Sequence, residues 1–186
     1  MKKLLLLILI PVCSYGQNMD SLFAIAEYPV IKGNPFSGVM PVPMVDESPD
    51  PTLQYNIIVD ATGHSEDSTK VNWVLGNIGR IYNLHVAAGI PQENVHIVAA
   101  VHAFAGDSFL KNDAYHQKYS TDNPNLALIE ELTGSGVKFL ICAQSLYFQG
   151  STREDLIDGA MLTLTAQTTL TSYQLKGYAL LSMHDD

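Results

Sequence analysis

Cysteine is scarce in this sequence, with Cys13 and Cys142 the only two among 186 residues. Basic residues are few as well, 10 Lys and Arg against 19 Asp and Glu, for a formal net charge of −9. That deficit argues against nucleic acid and anionic membranes as partners, since positive charge is what holds both. Metal-binding spacings are missing: the chain has no CxxC, HxxxH or HExxH. His96 and His102 fall six apart on one extended run, about 20 Å at ~3.3 Å per residue, too far to share one ion. No GxSxG nucleophile elbow occurs. A glycine-rich phosphate loop is also lacking, because Gly76-Asn77-Ile78-Gly79 falls inside a helical pattern where close packing accounts for small residues. The reading therefore carries no metal and no cofactor.

What is present begins with a leader. Met1-Lys2-Lys3 is basic, Leu4 to Val12 is an unbroken apolar run too short to span a bilayer, and Ser14 and Gly16 are small residues at −3 and −1 of a cut after Gly16. Residues 1–16 read as a signal peptide, which predicts a periplasmic or secreted protein with no later membrane span. A lipoprotein signal at Cys13 ranks second, since Ile10-Pro11-Val12 lacks the small residue such processing wants. Cleavage removes Lys2 and Lys3, leaving 8 basic residues against 19 acidic ones. It also leaves Cys142 as the sole thiol, so an intrachain disulfide is excluded. An unpaired cysteine in an oxidising compartment is either buried and inert or reactive and protected.

Residues 17–51 carry six of the nine prolines, Pro29, Pro35, Pro41, Pro43, Pro49 and Pro51. Proline fixes φ and removes a donor, so this stretch reads as an extended arm rather than a long helix or central strand. Its apolar residues, among them Val30, Ile31, Phe36, Val39 and Met44, predict that it lies on the domain or on a neighbouring subunit.

The remaining 52–186 read as one α/β domain. Thr52 to Ala61, with Tyr55, Ile57, Ile58 and Val59, gives a first strand. A helix follows, capped by Asp67 or Ser68, with Val71, Val74, Leu75, Ile78, Ile81, Tyr82 and Val86 on one face and its stop at Gly89-Ile90-Pro91. Val95 to Val101 is a second strand ending at His102. Pro124 opens a helix through Leu126, Ile129 and Leu132. The run Val137 to Leu146 is a buried strand pattern that turns polar at Gln144 and Ser145. Tyr147 to Ser151 reads as a loop whose aromatics are core or interface residues, and Ser151 with Glu154 as a capping box opening a short helix. Ala160 to Thr165 is a short strand, Thr168 to Lys176 a helix closed by Gly177, and Tyr178 to Met183 the last strand. This alternation predicts a five-stranded, mostly parallel sheet with flavodoxin-like layering, helices on both faces and right-handed crossovers.

His64, His102 and Cys142 each fall just after a strand, where ligands of open α/β sheets bind. A thiol works as its thiolate, which a nearby imidazole or a helix start favours. Cys142 and His102 are therefore the candidate catalytic residues, against the plainer reading of Cys142 as a small core residue.

The ordered set Cys142-Ala143-Gln144-Ser145-Leu146, Gly150, Glu154-Asp155-Leu156, Asp158-Gly159 and Gln174-Leu175-Lys176-Gly177-Tyr178 resembles the DsrE/DsrF-like family. So do Lys70-Val71-Asn72, Ala88-Gly89-Ile90-Pro91 and Val98 to His102, and the likeness runs from about Leu53 to Met183. The resemblance implies a compact α/β fold assembling as homotrimers or trimer-based hexamers, with the strand-end cysteine near a subunit interface. It further implies that Cys142 accepts sulfur as a persulfide from a small sulfur species or a sulfur-donor protein. Ala103 stands where similar proteins commonly show glycine. The alternative is a non-catalytic oligomeric binding or scaffold protein.

Overall fold

The computed structural model of the chain describes residues 21, 23–63 and 65–183. The signal-peptide reading and His64 lie outside the described residues. Five strands, β1 (Tyr55–Ala61), β2 (Val95–Val101), β3 (Lys138–Cys142), β4 (Met161–Thr163) and β5 (Ala179–Met183), form one sheet in the order β4-β3-β2-β1-β5. Every pairing is parallel. The helices between them are α1 (Trp73–Ala87), α2 (Asn112–Tyr119), α3 (Leu126–Gly134), α4 (Ala143–Phe148) and α5 (Ala166–Leu175).

Strand alternation sorts the core into two layers. Ile57, Val59, Ala61, Ile97, Ala99, Val101, Phe139 and Ile141 face one way and pack with Val74, Leu75, Ile78 and Tyr82 of α1 and Leu128, Ile129 and Leu132 of α3. Ile58, Val98, Ala100 and Cys142 face the other way, where Ala166 and the partly buried Leu170 and Tyr173 of α5 cover them. Both faces thus carry helices, but unequally, and Cys142 belongs to the thinner layer. Parallel sheets ordinarily need cover on both faces. β5 falls short of that, with Ala179 to Ser182 exposed.

Of the proline-rich segment, the stretch from Val30 to Val39 is seated on the domain, whereas 41–50, with Met44 among them, is exposed throughout. Buried Asn83 of α1 accepts N–H bonds from Val30 and Ile31 on Oδ1, at 3.0 and 2.9 Å. Its amide donates to the carbonyls of Ile31 and Ser37, both at 2.8 Å. Glu131 of α3 accepts from the backbone N–H groups of Lys32 and Gly33. The small residues of α1 acquire their reason here: a Cβ on Gly76 would meet Asn34 Oδ1 at 2.7 Å, and one on Gly79 would run into Ser37 and Ile31.

Three local expectations change. The cap of α1 is Asn72, whose side chain accepts from Val74 N at 3.0 Å, while Asp67 bonds Thr69 in a separate turn. The capping box sits one residue later than expected, pairing Thr152 with Asp155. It opens only a 3-10 turn over Arg153–Asp155, because Leu156 returns to extended backbone to bridge Leu110. The cysteine strand stops at Cys142 rather than continuing to Leu146, and the chain turns directly into α4.

Candidate functional site

Cys142 is both the last residue of β3 and the N-cap of α4, with φ −70° and ψ 113°. A cap supplies an acceptor to the free N–H groups of the first helical turn. Here the thiol sulfur takes that part, accepting from Ser145 N at 3.5 Å. Sulfur is a weak acceptor as a thiol and a much better one as a thiolate, so the cap itself favours ionisation. The residue is 3% exposed, under α5.

Burial pushes the Cys142 thiol up. The Ser145 hydroxyl and the backbone N–H groups of Ser145, Ala166 and Gln144 act the other way and prevail, holding the thiol below its ordinary value. Since the folded thiol ionises below its unfolded value, deprotonation favours the folded state. This contribution is absent at low pH and grows as pH rises through the folded value. Thiol labelling should therefore rise with pH at a lower midpoint than for an unfolded cysteine. In Ser145→Ala one hydrogen bond worth about 0.5–1.5 kcal/mol disappears, so labelling at neutral pH should slow about 2- to 10-fold. Equal rates in the variant and the parent protein would contradict this electrostatic account.

The register puts His102 one step beyond the last paired residues, Val101 and Ile141, beside Cys142 on the neighbouring strand. Strand neighbours lie ~4.8 Å apart in the sheet. Its imidazole, however, engages the opposite neighbour: Nε2 lies 2.6 Å from Oδ1 of Asp60 on β1, and both side chains are partly buried. The backbone N–H of His102 also donates to Ala61 O at 3.0 Å.

The link to the thiol runs through the next residue. Ala103 N donates to Ser145 Oγ at 3.0 Å, and Gln149 Nε2 donates to Ala103 O at 2.6 Å. Ala103 has φ +48°. Its left-handed backbone explains why glycine suits this position, and costs an L-residue about 1–2 kcal/mol. The structure thus joins Cys142 to Ser145 and His102 to Asp60. Sequence reasoning missed both partners. A serine three residues past an N-cap is an ordinary first-turn residue, and Asp60 is an isolated carboxylate at the end of an apolar strand.

The aromatics beyond Cys142 are not core. Tyr147 and Phe148 of α4 are 78% and 82% exposed, and Leu164, just past β4, is 69% exposed. Among the described residues no three His, Cys, Asp or Glu side chains gather as metal ligands, and no helix is long and apolar enough to cross a membrane.

No curated protein matches the sequence. Among solved structures, the protein of unknown function MTH1491 from Methanobacterium thermoautotrophicum is similar at a TM-score of 0.51 and 20% identity, covering 69% of this chain and 99% of that one. The ychN protein from E. coli gives a TM-score of 0.50 at 19% identity, covering 69% and 98%. At these identities the likeness is one of fold. The profile of the DsrE/DsrF-like family matches residues 55–183, from the first residue of β1 to the last of β5. With more than half its length matched and the sheet of its structural neighbours in place, the chain belongs to the DsrE/DsrF-like family.

Proposed function

We propose that this is an exported sulfur-handling protein in which Cys142 accepts a sulfane sulfur and hands it on, with His102 assisting. The observation that carries the reading is the thiol's setting: the lone described cysteine caps a helix, and the N–H groups and hydroxyl around it hold it below its ordinary ionisation. A thiolate attacks the outer sulfur of a persulfide donor, forming the Cys142 S–S bond as the donor's S–S bond breaks. The donor leaves as a thiolate and takes up the proton that Cys142 gave. Atoms and electrons balance without an added oxidant, giving one Cys142 persulfide and one donor thiol. Periplasmic or secreted location after cleavage near Gly16 belongs to the same reading. So does assembly as a homotrimer or hexamer, for which the exposed Tyr147, Phe148 and Leu164 beside the cysteine offer apolar surface.

Incubation with a persulfide or polysulfide donor should add about 32 Da, one sulfur atom, to the intact mass. Cys142→Ala should abolish the adduct on that residue and, as the loss of a buried cap, destabilise the fold by about 0.5–2 kcal/mol. A second reading, a scaffold with Cys142 as a core residue, is favoured by the 3% exposure of that residue. Absence of any adduct on the native assembly, or its survival in Cys142→Ala, would establish the scaffold instead.

A further inference from the structure

The chain of contacts at the carboxyl end of the sheet crosses three strands and one helix. Asp60 of β1 holds the His102 imidazole at 2.6 Å. His102 precedes Ala103, whose N–H reaches Ser145 Oγ, and the Ser145 hydroxyl and N–H both act on Cys142. An alanine does not rest at φ +48° unaided. The Ala103 peptide is fixed on one side by Ser145 and Gln149, four apart and so one helical turn apart on α4. On the other side its anchor is His102, tied by its ring to Asp60 and by its N–H to Ala61.

That arrangement decides how Ser145 points. With its oxygen accepting from Ala103 N at 3.0 Å, the hydroxyl has its own proton left to donate, on the residue whose N–H already reaches Cys142 Sγ at 3.5 Å. If the Ala103 N–H swings away, the hydroxyl is free to turn and the sulfur loses an oriented donor. His102, meanwhile, spends its Nε2 on Asp60, on the side of β2 away from β3.

We propose that Asp60 is a positioning residue for Cys142, acting through His102 and the Ala103 peptide on the Ser145 hydroxyl, so that the imidazole is a strut and not the base that deprotonates the thiol. This rests on the reading of Cys142 as the working thiol, yet its measurement is alkylation of that thiol and needs no sulfur donor. Failure of sulfur uptake and failure of the strut are therefore read separately.

The test is the rate and pH profile of Cys142 alkylation, read on the peptide that holds Cys142 so that Cys13 does not contribute, with thermal melting run alongside. Asp60→Ala removes the acceptor of the His102 ring. It should slow neutral-pH labelling about 3- to 10-fold, the scale of one oriented hydrogen bond, and move the profile to higher pH. In a Ser145→Ala background the same change should have no further effect, because a relay shows up as coupling in a double-mutant cycle. Asp60→Asn, whose amide oxygen can still accept from the imidazole, and His102→Gln, whose amide can still donate to Asp60, should both keep most of the parent rate, whereas His102→Ala should not. A base predicts instead that glutamine and alanine are equally slow at His102, and that Asp60→Ala acts undiminished without Ser145. Either of those results, or an unchanged rate in Asp60→Ala, overturns the proposal. Should Asp60→Ala not fold, the glutamine and alanine pair at His102 decides alone.

Discussion

Asn83→Ala is expected to cost about 3–5 kcal/mol of stability and to lower the melting temperature by about 6–20 °C at roughly 2–4 °C per kcal/mol for a chain of this size. Asn83 is fully buried within α1 and makes four hydrogen bonds, two accepted from Val30 and Ile31 and two donated to Ile31 and Ser37. Alanine leaves two backbone N–H groups and two carbonyls in a dry seam beside Ile31, which is itself 0% exposed. Each such orphan costs about 1–3 kcal/mol, partly recovered where water enters. The loss is local first: the segment from Val30 to Ser37 should become a protease target before the sheet does. Asn83→Asp should also destabilise, since it keeps the acceptors, removes the donors and buries a charge. Thermal melts and limited proteolysis check this. A melting shift within 2–3 °C, about 1 kcal/mol on the same scale, would show that Asn83 does not hold the arm.

The second large effect is expected at Asp107, in the 3-10 segment Ala103–Phe109 that also contains Ala103. Its carboxylate side chain is 7% exposed, and both oxygens lie 2.8 Å from Lys118 Nζ. The Tyr119 hydroxyl donates to Oδ2 as well. Burial pushes the Tyr119 phenol up, and the hydrogen bond to Asp107 and its negative charge push it further, so it stays a donor across the working range of pH. Removing one partner of a buried pair strands the other, at about 3–5 kcal/mol when neither reaches water. Lys118 is 32% exposed and can turn outward, which lowers the expectation for Asp107→Ala to about 2–3 kcal/mol. Asp107→Asn, which retains an acceptor for Tyr119, should lose less. Urea unfolding of the two variants measures the difference, and equal stabilities would mean that the charge contributes nothing.

Much of this architecture could be read from the chain because the strands are strongly patterned. The Val, Ile and Ala runs of β1 and β2 reach their ends at the expected residues, since a strand buried on both faces tolerates few polar interruptions. The family likeness likewise rested on an ordered set of short motifs along nearly the whole domain. What escaped was polar chemistry inside apolar patterns. Asn83 interrupts the buried face of α1 next to Tyr82, and a polar residue there signals a bonded partner without saying which. Asn72 won the cap over Asp67 and Ser68 because the intervening turn, held by Asp67 and Thr69, delays the helix by one turn. The end of β3 falls earlier than expected because cysteine is not among the usual capping residues, so the run from Val137 to Leu146 reads as strand despite Gln144 and Ser145. Ser145 and Asp60 were invisible for a related reason: their work depends on which strands become neighbours, a property of topology rather than of spacing.

The seating of the arm also has a consequence for the order in which the chain assembles. The bonds that fix Val30 and Lys32 close over 53 and 99 residues respectively, to Asn83 and Glu131. Neither closure can form before α1 and α3 exist and pack. During synthesis at about 5–20 residues per second, Glu131 follows Lys32 by roughly 5–20 s. For that interval Ile31 and the backbone around it have nothing to dock on. A segment made early thus waits for helices made later, and any delay in forming the helical layer lengthens the exposure of the arm.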